Sequence, residues 1–315
     1  MRVKGNTMKA VQGFSGRVTE NVLLAEHTTL GVGGPAPLVL EPAGADDVRR
    51  ALKALDELFV IGAGSNMLVG DSGLDVPVLK MVNGLKDESG ISAGSLKVGA
   101  GHRLPALART AADAGLSGLE WAVGIPGTVG GALVVNAGAF GSEIWELVKT
   151  MEMALAGGEL VAVTPDAVSW GYRTADFGVD KPFVITEVEL KLASGDREAI
   201  RRLIREYGDR RRESQPVGAA SAGSFFKNPP GGPPAGKLID DAGLKGARCG
   251  GAVVSDVHAN FIVNGGGARA DEIYTLAEYV RRAVAERAGI ELEYEVELMG
   301  EFEYLGDEAV ESGRV

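Results

Sequence analysis

The sequence predicts a mixed helix-and-strand chain of two or three domains, on three observations. Its 315 residues exceed what one ordinary hydrophobic core fills. Helical and strand periods of apolar residues alternate along it in blocks bounded by glycine and proline. It also holds 46 glycines, well above the usual share, which mark tight loops where backbone can approach a ligand.

The elements follow in order. Residues 1–12 carry Arg2, Lys4 and Lys9 without an apolar run, so no signal peptide is expected there. Val48, Ala51, Leu52 and Leu55 recur at i, i+3, i+4 and i+7, which predicts an amphipathic helix with Asp46 as its N-cap. The apolar run 58–61 predicts a strand entering the tight loop Gly62-Ala63-Gly64-Ser65-Asn66. Short strands are expected around 76–82 and 96–98, then a helix over 104–114 that Gly115 ends. Pro126 and the glycines of 124–132 exclude a regular helix at the start of that segment, leaving a second loop that continues through Asn136-Ala137-Gly138-Ala139-Phe140-Gly141.

Strand patterns fill 150–192. Asp196 caps a helix with the apolar face Ile200, Leu203, Ile204 and Tyr207; its basic end, Arg210-Arg211-Arg212, is either a solvated last turn that offsets the helix dipole or an anion contact. The Pro/Gly-rich stretch 228–236 is a loop, Ile273, Leu276, Ala277, Val280 and Val284 define a strong helix, and a final strand is expected over 290–299. Along that strand Glu291, Glu293, Glu295 and Glu297 alternate, so all four share one face, the one turned to water. Residues 303–315 form a polar tail.

Charge and cysteine content narrow the function classes. A formal net charge of −11 lacks the basic footprint of a nucleic-acid or anionic-membrane partner. No run approaches the roughly 20 apolar residues of a membrane span. A single cysteine, Cys249, rules out an intrachain disulfide or a cysteine-based zinc site, and the scattered His27, His102 and His258 make no metal set. The expectation is a cytoplasmic monomer that handles small molecules, with no nucleic acid, membrane or metal.

Gly62-Ala63-Gly64-Ser65-Asn66-Met67 begins like the G-x-G-x-x-G dinucleotide fingerprint, but Met67 stands where the third glycine belongs and no helical pattern follows. The P-loop pattern is absent as well. Two glycine-rich loops remain, at 62 and 124, which either aim N–H groups at a pyrophosphate or are simply tight turns.

Several segments, in fixed order, resemble the family of UDP-N-acetylenolpyruvoylglucosamine reductases. They are His27-Thr28-Thr29-Leu30-Gly31-Val32-Gly33-Gly34-Pro35-Ala36, Ile61-Gly62-Ala63-Gly64-Ser65-Asn66, Gly124-Ile125-Pro126-Gly127-Thr128-Val129-Gly130-Gly131-Ala132 with Asn136-Ala137-Gly138, and Gly171-Tyr172-Arg173. Downstream come Ala222-Gly223-Ser224-Phe225-Phe226-Lys227-Asn228-Pro229, the stretch from Val254 to Asn264, and Leu292-Glu293-Tyr294-Glu295-Val296. The resemblance spans about residues 20–302.

It implies an α+β architecture: a two-subdomain FAD-binding fold of the vanillyl-alcohol oxidase type, residues 20–82 and 83–195, plus a C-terminal α+β substrate-binding domain, residues 196–302. An N-terminal extension, 1–19, and the tail 303–315 flank these. The activity it implies is reduction of UDP-N-acetylglucosamine enolpyruvate to UDP-N-acetylmuramate in peptidoglycan precursor synthesis, with non-covalent FAD and NADPH as hydride donor. By motif position, FAD would be held by Gly62, Ala63, Gly64, Ser65, Asn66, Gly124, Ile125, Pro126, Gly127, Thr128, Gly131, Asn136 and Gly138. Tyr172, Lys227, Asn228 and His258 would meet the substrate. Ser224 would be the proton donor, with Arg173 and Glu295 flanking the developing enolate.

A serine hydroxyl is a weak acid, and Lys227 is a candidate partner for it as well as for substrate. His258 either touches substrate or caps a turn. Two positions depart from the family pattern: Ala175 stands where a serine is usual, and Tyr294 where proline is commoner. The short interval between Arg173 and Ser224 resembles the type II form, which lacks a loop bearing a substrate-clamping tyrosine. The uridine diphosphate contact is then relocated, with Arg210, Arg211, Arg212 and Lys237 as candidates. Two other readings compete: a different FAD-dependent oxidoreductase of the same fold, and a non-catalytic flavin- or nucleotide-sugar-binding protein.

Overall fold

The computed structural model describes residues 12–82, 85, 88–92 and 94–313; the basic start with Arg2, Lys4 and Lys9 lies outside the described residues. The chain forms two compact units, each assembled from separated stretches. One takes the described chain up to Val22, Pro37–Ala63 and Val76–Arg210; the other takes Leu23–Ala36, Gly64–Asp75 and the chain from Arg211 onward.

Among the described residues the first unit holds two larger sheets and three two-stranded ones. A four-stranded sheet runs in the order Arg17–Leu23, Pro35–Glu41, Val78–Lys80, Phe59–Ile61, and Val78–Lys80 pairs in parallel with both of its neighbours. The Ala45–Ala54 helix crosses from Pro35–Glu41 to Phe59–Ile61, which flank Val78–Lys80 in the sheet, and buries Val48, Ala51 and Leu52 in one core with Leu38, Leu40 and Leu79. Its cap differs from the expected one. Gly44 is the N-cap, and the buried Asp47 carboxylate accepts the N–H groups of Ser15, Gly16 and Ala43 at 2.8, 2.8 and 2.9 Å. Asp46 is left on the surface with Arg49.

The second sheet is antiparallel, in the order Leu160–Val163, Val148–Ala154, Val184–Lys191, Ser95–Gly99, Glu88–Ser92. The Leu104–Asp113 helix packs into the same core as these strands and stops where expected, with Gly115 at φ +73°. The glycine-rich segment after Pro126 is a loop only as far as Thr128. Val129–Val134 is then a short helix, because the Thr128 hydroxyl accepts the Gly131 N–H at 3.2 Å and caps it despite two glycines in its first turn. The Arg197–Ser214 helix is capped by Asp196, whose carboxylate accepts the Ala199 N–H at 2.9 Å.

In the second unit the Ala270–Ala288 helix buries Ile273, Leu276, Ala277, Val280 and Val284, the face expected from their spacing. A five-stranded sheet shares that core, in the order Ala220–Ser221, Ile262–Asn264, Ala252–Val254, Arg248–Cys249, Val310–Glu311. The final strand is shorter than expected. Only Glu297–Met299 is a strand, parallel to Met67–Val69, and the chain bends at Glu295 and Val296. Among the described residues, no helix is long and apolar enough to cross a membrane.

Candidate active site

Strand Phe59–Ile61 delivers Gly62 against the second loop of its own unit. A Cβ on Gly62 would sit 2.5 Å from Thr128 Oγ1, so no other residue lets the two loops approach this closely. The short helix spends its first donors on protein: Val129 N–H goes to His102 O at 2.9 Å, Gly130 N–H to Ala100 O at 2.8 Å, and Gly131 N–H to the Thr128 hydroxyl. Ile125 N–H likewise goes to Ala122 O at 3.2 Å. In contrast, among the described residues no backbone carbonyl takes the N–H of Gly62, Ala63 or Gly64. The same holds for the N–H groups of Gly124, Gly127 and Thr128, so both loops offer backbone donors to an anion.

Asn136 follows the short helix at φ +45° and is fully buried. Its Nδ2 donates to Glu143 Oε2 at 2.8 Å and to Gly171 O at 2.7 Å, whereas its Oδ1 is buried with no donor among the described residues. Gly171 begins a tight hairpin in which Tyr172 and Arg173 link strands Ser169–Gly171 and Thr174–Asp176. Arg173 adopts φ +54°, a left-handed conformation that costs a non-glycine residue roughly 1–3 kcal/mol. Its guanidinium donates to Asn136 O at 3.4 Å and Gly138 O at 3.0 Å and lies 5.2 Å from the Tyr172 ring centre. The structure thus gathers Tyr172, Arg173, Asn136 and Gly138. These residues fit FAD: unspent N–H groups suit a pyrophosphate, and an orphaned buried acceptor suits a cofactor that brings N–H or O–H donors.

Gly64 has φ +66°, and a Cβ there would meet His27 O at 2.0 Å, so this turn admits only glycine. Asn66 follows two residues on. Its Nδ2 donates to Glu295 O at 3.1 Å and its carbonyl accepts the Glu297 N–H at 3.0 Å, so its side chain holds backbone of the glutamate segment. Ser224 is half-buried beside Phe225, and Phe225 O accepts the N–H groups of Glu295 at 2.9 Å and Val296 at 3.4 Å. Ser224 and Glu295 therefore flank the same backbone junction. The bend there breaks the expected row of glutamates: Glu291, Glu293 and Glu297 are exposed, and Glu295 is partly buried.

Asn260, to which the sequence attached no role, fixes the serine segment. Its buried amide bonds both ways to Phe226, accepting the N–H at 3.0 Å and donating to the carbonyl at 2.7 Å, while its own carbonyl takes the Phe225 N–H at 2.8 Å. Its place inside the Val254–Asn264 motif was the available signal. Lys227 Nζ lies 3.6 Å from Glu293 Oε2, and Asn228 Oδ1 accepts the Ala235 N–H at 2.9 Å, at the start of the Ala235–Asp241 helix. Of the relocated-contact candidates, Lys237 pairs with Asp241 at 2.9 Å, Arg210 with Glu206 at 2.7 Å, and Arg211 donates to Gln215 Oε1 at 3.2 Å. Burial first, and then the Glu278 carboxylate that takes its hydrogen bond, push the Tyr294 phenol far above its ordinary value, so it remains a donor.

His258 Nδ1 accepts the Asn260 N–H at 3.2 Å, as only an unprotonated Nδ1 does. Burial first, and Lys245 second, lower its pKa. The unfolded chain therefore takes up a proton that the folded ring resists. This contribution to stability is complete above the ordinary histidine value of about 6.5 and is lost as pH falls from there towards the folded value. Denaturation midpoints are expected to drop as pH falls below about 6.5, and less so in His258→Asn; equal slopes in the two proteins would contradict this.

Residues 36–164 match the FAD-binding domain family, and residues 215–299 match the C-terminal domain family of UDP-N-acetylenolpyruvoylglucosamine reductase. The chain is 40% identical over 291 residues to the UDP-N-acetylenolpyruvoylglucosamine reductase of Bacillus pumilus, covering 91% of this chain and 95% of that protein. It is 43% identical over 301 residues to the reductase of the same name from Desulfosudis oleivorans, covering 91% and 96%. Among solved structures it is similar to UDP-N-acetylenolpyruvylglucosamine reductase (MurB) from Thermus caldophilus, at a TM-score of 0.77 and 40% identity over 90% of this chain and 100% of that one.

Proposed function

The chain belongs to the UDP-N-acetylenolpyruvoylglucosamine reductase family, and from that premise we propose that it reduces UDP-N-acetylglucosamine enolpyruvate to UDP-N-acetylmuramate, with bound FAD and with NADPH as hydride donor. The observation that carries the reading is the junction at Phe225, which sets Ser224 beside the one glutamate of four that leaves the exposed row. The reaction belongs to peptidoglycan precursor synthesis in the cytoplasm.

Bound FAD would supply the hydride-transfer chemistry, between NADPH and the methylene carbon of the enolpyruvyl group. A pair of electrons then shifts onto the carbon bearing the carboxylate and spreads into that group as an enolate. The Ser224 hydroxyl gives its proton to this carbon, forming the second C–H bond, and water restores the hydroxyl. By motif position Arg173 offsets the negative charge that builds up, and Glu295 acts from beside Ser224. By motif position, Gly62, Ala63, Gly64, Ser65 and Asn66, and Gly124, Ile125, Pro126, Gly127, Thr128, Gly131, Asn136 and Gly138, would hold FAD. Tyr172, Lys227 and Asn228 are the substrate contacts in this reading.

Purified protein is expected to be yellow, to bleach with NADPH in the absence of oxygen, and to oxidise NADPH continuously once the enolpyruvyl nucleotide is added. A colourless protein, or NADPH oxidation indifferent to that nucleotide, would contradict the proposal.

A further inference from the structure

The segment that carries Glu295 is not a regular strand, so a full ladder does not hold it. Phe226 and Tyr294 face each other as an isolated antiparallel bridge, between the Lys227 N–H bond to Glu293 O at 2.8 Å and the Glu295 N–H bond to Phe225 O at 2.9 Å. Both bonds use the neighbours' backbone, as in a non-hydrogen-bonded pair, and Tyr294 is tied down by its side chain instead. Tyr294 Oη donates to Glu278 Oε1 at 2.5 Å. Arg281 Nη1 donates to the same oxygen at 2.7 Å, and Arg281 Nε donates to Leu292 O at 2.9 Å. The Arg281 guanidinium also lies 5.1 Å from the Tyr294 ring centre, and Phe226 packs against that ring at 5.4 Å.

A closed circuit results: Glu278 and Arg281 on the Ala270–Ala288 helix grip the chain at Leu292 and at Tyr294, immediately before Glu295. On the other side Asn66 holds the Glu295 carbonyl and the Glu297 N–H. We propose that Glu278 and Arg281, acting through the Tyr294 hydroxyl, are positioning residues that orient Glu295 for the reducing step. This rests on the function proposed above. A pair needed only to stabilise the helix would bond within the helix; this one spends two of its bonds on the four residues that lead into Glu295.

The test uses the flavin-loaded enzyme and follows its two half-reactions separately. Tyr294→Phe keeps the ring packing and removes only the hydroxyl; Glu278→Ala removes the acceptor, and Glu278→Gln restores an acceptor oxygen. Tyr294→Phe and Glu278→Ala are each expected to slow reoxidation of the reduced enzyme by the enolpyruvyl nucleotide about 10-fold or more, as misplacement of a reacting group does, with KM and flavin reduction by NADPH little changed. Glu278→Gln should recover most of the loss, and the double variant should be no slower than either single one, because both cut one circuit. Wild-type reoxidation rates in Tyr294→Phe and Glu278→Ala, an equal fall in both half-reactions, or additive losses would overturn the proposal. A wild-type enzyme that fails to transfer to the nucleotide would instead overturn the functional reading, and this proposal with it.

Discussion

Replacing Ser224 by alanine is expected to slow reduction of the enolpyruvyl nucleotide by about 10²–10⁴-fold, the range general-acid catalysis supplies, while flavin reduction by NADPH keeps its wild-type rate. The separation follows from the chemistry: a proton is required only after hydride reaches the substrate, so a missing acid is invisible to the first half-reaction. The fold tolerates the change. Ser224 lies in a loop between Gly223 and Phe225, and the bonds that hold this loop run through the backbone of Phe225 and Phe226 to Asn260, Glu295 and Val296. Stopped-flow absorbance of each half-reaction checks the expectation, and an equal fall in both rates would remove Ser224 from the role of acid.

The second large effect is expected at Arg173. Arg173→Lys keeps the charge but not the planar fork that holds two carbonyls, Asn136 O and Gly138 O. Its left-handed backbone would persist without the bonds that hold it there. Transfer to substrate should fall about 10²–10³-fold, as when one donor is lost from a site of developing negative charge. Because the guanidinium is bonded to the loop assigned to the cofactor, retention of flavin should weaken too, unlike in Ser224→Ala. Flavin release on dilution, measured by fluorescence, separates the two variants; tight flavin binding with wild-type turnover in Arg173→Lys would contradict the assignment.

Local pattern made much of the architecture legible. The 3.6-residue spacing of Ile273, Leu276, Ala277, Val280 and Val284, and the stop at Gly115, depend on neighbours within a few turns, and the structure follows both. Misses arose where distant segments decide. Asp47 displaces Asp46 as the anchor of its helix because Ser15 and Gly16, some thirty residues earlier in the chain, bring their N–H groups to it. Alternation places all four glutamates on one face, yet bonds from Phe225 and Asn66, far away in sequence, bend the chain at Glu295. The Glu278–Arg281 spacing is ordinary for a solvated helix face, and nothing local points either residue at Tyr294. Those long-range bonds are also what gives the candidate site its shape, so motif order could name Ser224 and Glu295 without showing what holds them.

Flavin-mediated reduction of the enolpyruvyl nucleotide is isolated in a single turnover. The protein is reduced with one equivalent of NADPH under anaerobic conditions and mixed with UDP-N-acetylglucosamine enolpyruvate. The oxidised flavin spectrum is expected to return together with one equivalent of UDP-N-acetylmuramate, identified by mass. Flavin that stays reduced, or that reoxidises without this product, would contradict the proposed function.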